Sequence, residues 1–201
     1  MLPVFDESEL ADLIIKVENG ERLALEEGMR LMSSNDILAL GYMANIVRER
    51  LHGDKTYFRA GLTTEDPILI KTTATILYTD LKTPEERVQH LLQLRALQDE
   101  TGRFETFAPL PDNPKNVTSE GGMGVELTTG FEDLRLLAGA RILLDNFKHI
   151  KAFGMVLGPK LAQVSLAFGV DELDGTVSIT KEGLIRMIRK AGREPVERDD
   201  I

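Results

Sequence analysis

The sequence predicts an α/β fold in which short parallel strands alternate with amphipathic helices. Two patterns carry the expectation. Beyond residue 70, runs rich in β-branched and aromatic residues are each followed by a stretch with helical spacing. Helices placed between strands allow only crossover connections, which pair the strands in parallel. At 201 residues and 42% hydrophobic composition, the chain is long enough to bury one sizeable core.

Residues 7–52 are helical in pattern. Leu10, Leu13, Ile14 and Val17 fall on one helix face, and Asn19-Gly20 stops that helix because both tolerate positive φ. Leu25 to Met32 makes a second helix. Ser34-Asn35-Asp36 offers side-chain oxygens to the free amides of a third, which carries Ile37, Leu38, Leu40, Met43, Ala44, Val47 and Leu51 and closes at His52-Gly53. Lys55 to Phe58 reads as a short strand, and Ile70 to Tyr78 as a longer one. Thr83-Pro84-Glu85-Glu86 combines a cap, a proline at the first helical position and a capping-box glutamate. The helix that follows is expected to turn Val88, Leu91, Leu92, Leu94 and Leu97 inward and to end at Gly102.

Phe104 to Ala108 is the next expected strand, ended by Pro109, Pro111 and Pro114. Thr129-Gly130-Phe131-Glu132 starts a helix running to about Asn146. Ile150 to Leu157 is a strand, Gly158-Pro159 leads into a helix ending near Phe168, and Val177 to Ile179 forms a short strand before the last helix, Thr180 to Ala191. The expected division is a helical segment over 1–54 and an α/β unit over 55–201.

Composition narrows the function classes. The chain has 33 acidic and 24 basic residues, a net charge of −9, and no basic run, which opposes nucleic-acid binding. Residues 1–9 hold three acidic residues and lack the features of a secretory signal, and no apolar run reaches the roughly 20 residues of a membrane span. The chain contains no cysteine, so it offers no disulfide, no thiolate ligand and no thiol nucleophile. A cytoplasmic protein that meets neither nucleic acid nor membrane is the expectation.

Specific wording then points to a family. NDILALG, KTTATILY, TPEERVQHLL, LRALQDETG, TTGFEDLR, HIKAF, LGPKLAQV and DGTV, in that order, resemble segments of aminofutalosine synthase, a radical S-adenosylmethionine (SAM) enzyme of the futalosine route to menaquinone. Related enzymes that make deazaflavin precursors share part of this wording. The resemblance implies a TIM-type barrel in which three cysteines hold a four-iron, four-sulfur cluster that cleaves SAM. The adenosyl radical then adds to an enol ether of 3-hydroxybenzoate. In this chain the nine residues Arg59 to Pro67 stand where the family carries its cysteine-bearing core. Thr79-Asp80 also replaces the family's usual Gly-His after Tyr78, and Ser178-Ile179 runs almost directly into the last helix.

The resemblance therefore predicts a partial TIM-type barrel of three or four parallel strands behind an amino-terminal helical segment, with no cofactor of its own. Three or four strands cannot close, so an open sheet with an apolar face is expected, covered by the helices and by a homodimer partner. The reading is a shortened relative that neither holds the cluster nor cleaves SAM. The alternatives are a non-catalytic interaction or small-molecule-binding protein and an engineered or internally deleted form.

Individual residues add little in isolation. His52 is read as meeting free carbonyls at a helix end, His90 as a surface or half-buried helix residue, and His149 as scaffold; no two are spaced as a ligand pair on one helix. Asp112, Asp133, Asp145, Asp171, Glu172 and Asp174 read as turns, caps and solvated faces, and Gly121 to Gly124 as a loop. No catalytic residue is assigned. Barrel chemistry sits at the carboxyl ends of the strands, which singles out Thr73, Thr75, Tyr78, Pro109, Lys151 and Met155 as candidate contacts to a small aromatic carboxylate.

Overall fold

In the computed structural model, residues 2–59, 73–77, 81, 83–110, 130–174 and 180–198 are described. After a short 3-10 turn at Pro3–Phe5, the elements run α1 (Ala11–Glu18), α2 (Leu25–Ser33), α3 (Ile37–His52), β1 (Lys55–Arg59), β2 (Thr73–Leu77), α4 (Pro84–Thr101), β3 (Thr106–Leu110), α5 (Gly130–Leu143), β4 (His149–Phe153), α6 (Gly154–Ser165), β5 (Glu172–Asp174), α7 (Lys181–Lys190) and β6 (Glu194–Glu197). The strands form one parallel sheet in the order β2-β3-β4-β5-β1-β6, with β2 and β6 at its edges. Among the described residues no helix is long and apolar enough to cross a membrane.

The α/β class with parallel strands is as the sequence predicts, but the strand count is not. Six strands pair among the described residues, against three or four expected. Glu172–Asp174 and Glu194–Glu197 escaped notice because they are three and four residues long and rich in charge. The strand expected over Ile150 to Leu157 ends at Phe153, because Gly154 already opens α6, and Gly158, with φ 73°, breaks that helix just before Pro159. The strand expected over Val177 to Ile179, the glycine-rich segment at Gly121 to Gly124, and Asp112 lie outside the described residues.

The local signals operate as read. Thr83 Oγ1 accepts from the Glu86 amide at 3.1 Å while Glu86 Oε2 accepts from the Thr83 amide at 3.0 Å, and Pro84 opens α4. Such a cap is worth about 1 kcal/mol. Gly102 ends the helix in the left-handed conformation. Gly53, at φ 58°, turns α3 directly into β1, and Arg48 donates to the Gly53 carbonyl at 2.6 Å. Asp36 caps α3 through the Ala39 amide.

Leu13, Ile14, Val17, Leu40, Met43, Val88, Leu91, Leu136, Leu137, Phe107, Ile150 and Leu173 belong to one continuous apolar core that joins the helices to one face of the sheet. Leu97, Leu38 and Leu51 stay exposed, unlike the inward placement expected for Leu97. The opposite face of the sheet, anticipated as apolar, mixes charged, polar and apolar residues. Register places Thr73 and Thr75, Thr106 and Ala108, His149 and Lys151, Glu172 and Asp174, and Tyr57 and Arg59 on it. Alternation along each strand thus sends Phe107, Ile150, Ala152 and Leu173 to the helices and the charges of β4, β5 and β1 to the other side, where Leu110 and Phe153 join them.

Candidate functional site

The charged side of the sheet is layered along the strands. At the amino-terminal ends, His149 opens β4 and Asp171 precedes β5. His149 Nδ1 lies 2.6 Å from Asp171 Oδ2, and His52, the last residue of α3, brings Nε2 within 3.2 Å of the same oxygen and 2.6 Å of the Lys148 carbonyl. The two imidazoles stack with centroids 5.1 Å apart, and Tyr57 meets both edge-on. Arg141 from α5 pairs with Asp171 Oδ1, which also accepts from the Ile150 amide at 2.8 Å.

This base layer overturns two readings. Asp171 is a fully buried counter-ion, not a solvated turn residue. His52 does meet a carbonyl, but one from the chain before β4 rather than from its own helix. His52, His149 and Asp171 also place one potential metal-ligand atom each within 4.8 Å of one another. The charge balance argues against a cation there: Asp171 is the one carboxylate of the group, and the Arg141 guanidinium already neutralises it. Burial would raise the Asp171 carboxyl, but Arg141 and His149 outweigh it and hold the group below its ordinary range. For His52 burial dominates and lowers the imidazole.

The next layer holds Lys151, Glu172 and Tyr57, and above it, toward the carboxyl ends, stand Phe153, Asp174 and Arg59. Lys151 Nζ sits 3.1 Å from Glu172 Oε1 and 2.9 Å from Asp174 Oδ2, all three side chains being buried. The Phe153 ring lies 5.4 Å from the same ammonium. Glu172 gains a second cation from Arg198, just past β6, whose Nη1 is 2.8 Å from Oε2, and a third from Arg59 at 3.8 Å. Burial tends to raise Glu172, but Lys151 and Arg198 hold it below its usual value. For Asp174, burial and the Glu172 charge outweigh Lys151 and the lesser attraction of Arg59, and push it up to about 6. Asp174 Oδ1 is buried without a hydrogen-bond partner.

The candidates named from sequence scatter around this cluster. Lys151 lies at its centre. Thr73 is half-buried and Thr75 exposed on the same side of the sheet, toward the β2 edge. Pro109 is half-buried and lines a small cavity with Leu136, Leu137 and Ala152 that Lys151 and Phe153 also border, which brings the candidates Pro109 and Lys151 together. Met155 falls in the first turn of α6, and Tyr78 lies outside the described residues. Glu172 and Asp174, read as solvated, are the buried partners of Lys151, and Asp133 is buried too. His90 is half-buried on α4, away from the other histidines in the fold, and Asp145 is a partly exposed partner of Arg22. A sequence signal for Glu172 and Asp174 did exist: acids two apart flanking Leu173 have strand alternation, but over only three residues.

No family model matches the chain. It is 47% identical over 148 residues to the aminodeoxyfutalosine synthase of Thermus thermophilus, covering 66% of this chain and 40% of that protein. The synthase of Streptomyces coelicolor is 37% identical over 153 residues, again 40% of its length. The 5-amino-6-(D-ribitylamino)uracil–L-tyrosine 4-hydroxyphenyl transferase of Methanococcoides burtonii is 31% identical over 206 residues, 89% of this chain and 58% of the relative. Among solved structures, HydG, a maturase of the [FeFe]-hydrogenase, superposes with a TM-score of 0.66 over 92% of this chain and 74% of its own, at 11% identity, which is a likeness of fold.

The iron–sulfur cluster that the family implies finds no donors here. Three thiolates are required and the chain has no cysteine. Among the described residues the two clustered imidazoles lie at the amino-terminal ends of the strands, opposite the end where barrel chemistry takes place. The chain is a relative of aminodeoxyfutalosine synthase, of whose length it spans about 40%, and its fold is like that of HydG.

Proposed function

We propose that this chain is a non-catalytic member of the radical SAM lineage that binds a small aromatic carboxylate at the carboxyl ends of β4 and β5. The observation that carries the reading is the buried Lys151 ammonium between Glu172 and Asp174, with Asp174 Oδ1 left without a hydrogen-bond partner and the Phe153 ring beside them. Buried polar atoms left without partners are costly and recur at functional sites. An ammonium next to an aromatic wall suits the carboxylate and ring of one ligand. The similarity to synthases and to an L-tyrosine-utilising transferase supports aromatic ligands.

Titration calorimetry with 3-hydroxybenzoate and with L-tyrosine tests the binding. Saturable binding to the wild type, weakened at least tenfold by Lys151→Met in a folded variant, is expected; absence of heat from both ligands at every pH from 5 to 8 refutes it. The non-catalytic part has its own test. After anaerobic reconstitution with iron and sulfide, the desalted protein is expected to hold no stoichiometric iron, and with dithionite and SAM to yield no 5′-deoxyadenosine above a protein-free control.

A further inference from the structure

Lys151 and Asp174 form more than an ion pair, because the pair leaves one end open. Asp174 Oδ2 touches Lys151 Nζ at 2.9 Å, while Oδ1, equally buried, has no partner. Among the described residues, few charged groups face this carboxyl. Lys151 approaches from β4, Glu172 precedes it by two residues on its own strand, and Arg59 lies opposite on β1. Arg198, beyond β6, is engaged by Glu172 and by Glu105. Glu172 thus holds several cations, whereas Asp174 has Lys151 and the lesser attraction of Arg59.

We propose that Asp174 is a proton-coupled gate on Lys151: an incoming carboxylate takes its place on the ammonium, and Asp174 takes up one proton from solvent. This rests on the carboxylate-binding reading above. The charge balance at Lys151 favours the exchange, since the further cations Arg198 and Arg59 stand on Glu172. With Asp174 ionised, a ligand anion would make three carboxylates around Lys151 at the buried centre. With Asp174 protonated, the number returns to two and the buried net charge is unchanged. The atoms also balance: a proton from the buffer acid, which is left as its conjugate base, completes an O–H at Oδ1, the oxygen now unpartnered, which becomes a donor to the ligand carboxylate. No bond other than this O–H forms, and no redox partner is involved. The carboxyl is already poised for the step, since burial and Glu172 push it up to about 6 before any ligand arrives.

Calorimetry of 3-hydroxybenzoate binding at pH 7 in phosphate and in Tris, whose ionisation heats differ, counts the protons exchanged. The ligand's own carboxyl, ordinarily near about 4, stays ionised there. The expected result is uptake approaching one proton, with affinity rising up to tenfold per pH unit as pH falls from 8 toward 6. Asp174→Asn, which keeps His52 and His149, is expected to bind with no proton uptake and with an affinity independent of pH. Binding by the wild type without proton exchange overturns the gate while leaving the binding reading intact, as does uptake that persists in Asp174→Asn. Absence of wild-type binding at every pH overturns both.

Discussion

His149 Nδ1 and Asp171 Oδ2 meet at 2.6 Å beneath the sheet, tying the first residue of β4 to the residue before β5. The other Asp171 oxygen takes Arg141 and the Ile150 amide, so one carboxylate joins α5, β4 and the approach to β5. Both charged partners are fully buried. Removing one leaves the other uncompensated in a low-dielectric interior. Asp171→Ala is therefore expected to cost about 3–5 kcal/mol, read from urea unfolding; a loss below about 1 kcal/mol would show that water reaches Arg141.

Gly169 is expected to tolerate no side chain. Its φ is +85°, and an added Cβ would stand 2.6 Å from Arg141 Cβ and 3.0 Å from Ala44 Cβ. Its carbonyl also accepts from Arg141 Nε at 2.9 Å. Gly169→Ala combines a left-handed penalty of about 1–2 kcal/mol with this overlap. Circular dichroism melting should show a lower Tm than for alanine at Gly192, which has a similar φ and open space around it.

The histidine layer makes the fold sensitive to acid. Burial lowers His52, so its folded pKa lies below the unfolded value of 6.5. Its contribution is then fully present above 6.5 and lost as pH falls through the folded pKa. A proton on His52 would also join Arg141 around the single Asp171 charge. Chemical denaturation from pH 7.5 to 5 is expected to show a loss that His52→Gln reduces.

Asp174 acts in the opposite direction. Its folded pKa, about 6, lies above the model-peptide value of 3.8, so its contribution is full below 3.8 and lost as pH rises through 6. Asp174→Asn is expected to be more stable than the wild type at pH 7.5 by at most about 3 kcal/mol, a figure that already includes the attraction of Lys151. The difference should vanish near pH 4. A variant less stable at pH 7.5 would mean that the ion pair outweighs the burial of the charge.

Much of the architecture could be read directly from residue order. Thr83, Pro84 and Glu86 start α4 and Gly102 ends it because caps and left-handed turns are settled by residues in immediate contact. The spacing of Leu10, Leu13, Ile14 and Val17 places them in the core for the same local reason, and the family wording follows from the string itself. The missing thiolates are equally a property of composition.

The charged layers were decided by tertiary structure. Asp171, Glu172 and Asp174 read as solvated because acids in a three-residue strand resemble a turn, and nothing nearby in the chain neutralises them. Their counter-ions, Arg141, Lys151 and Arg198, come from α5, β4 and the chain beyond β6. His52 meets His149 only because β1 inserts between β5 and β6 and brings the end of α3 beneath β4. A helix cap depends on interactions within one turn, whereas burying a charge depends on which distant side chain arrives opposite it. Strand register, and not residue spacing, determines that arrival.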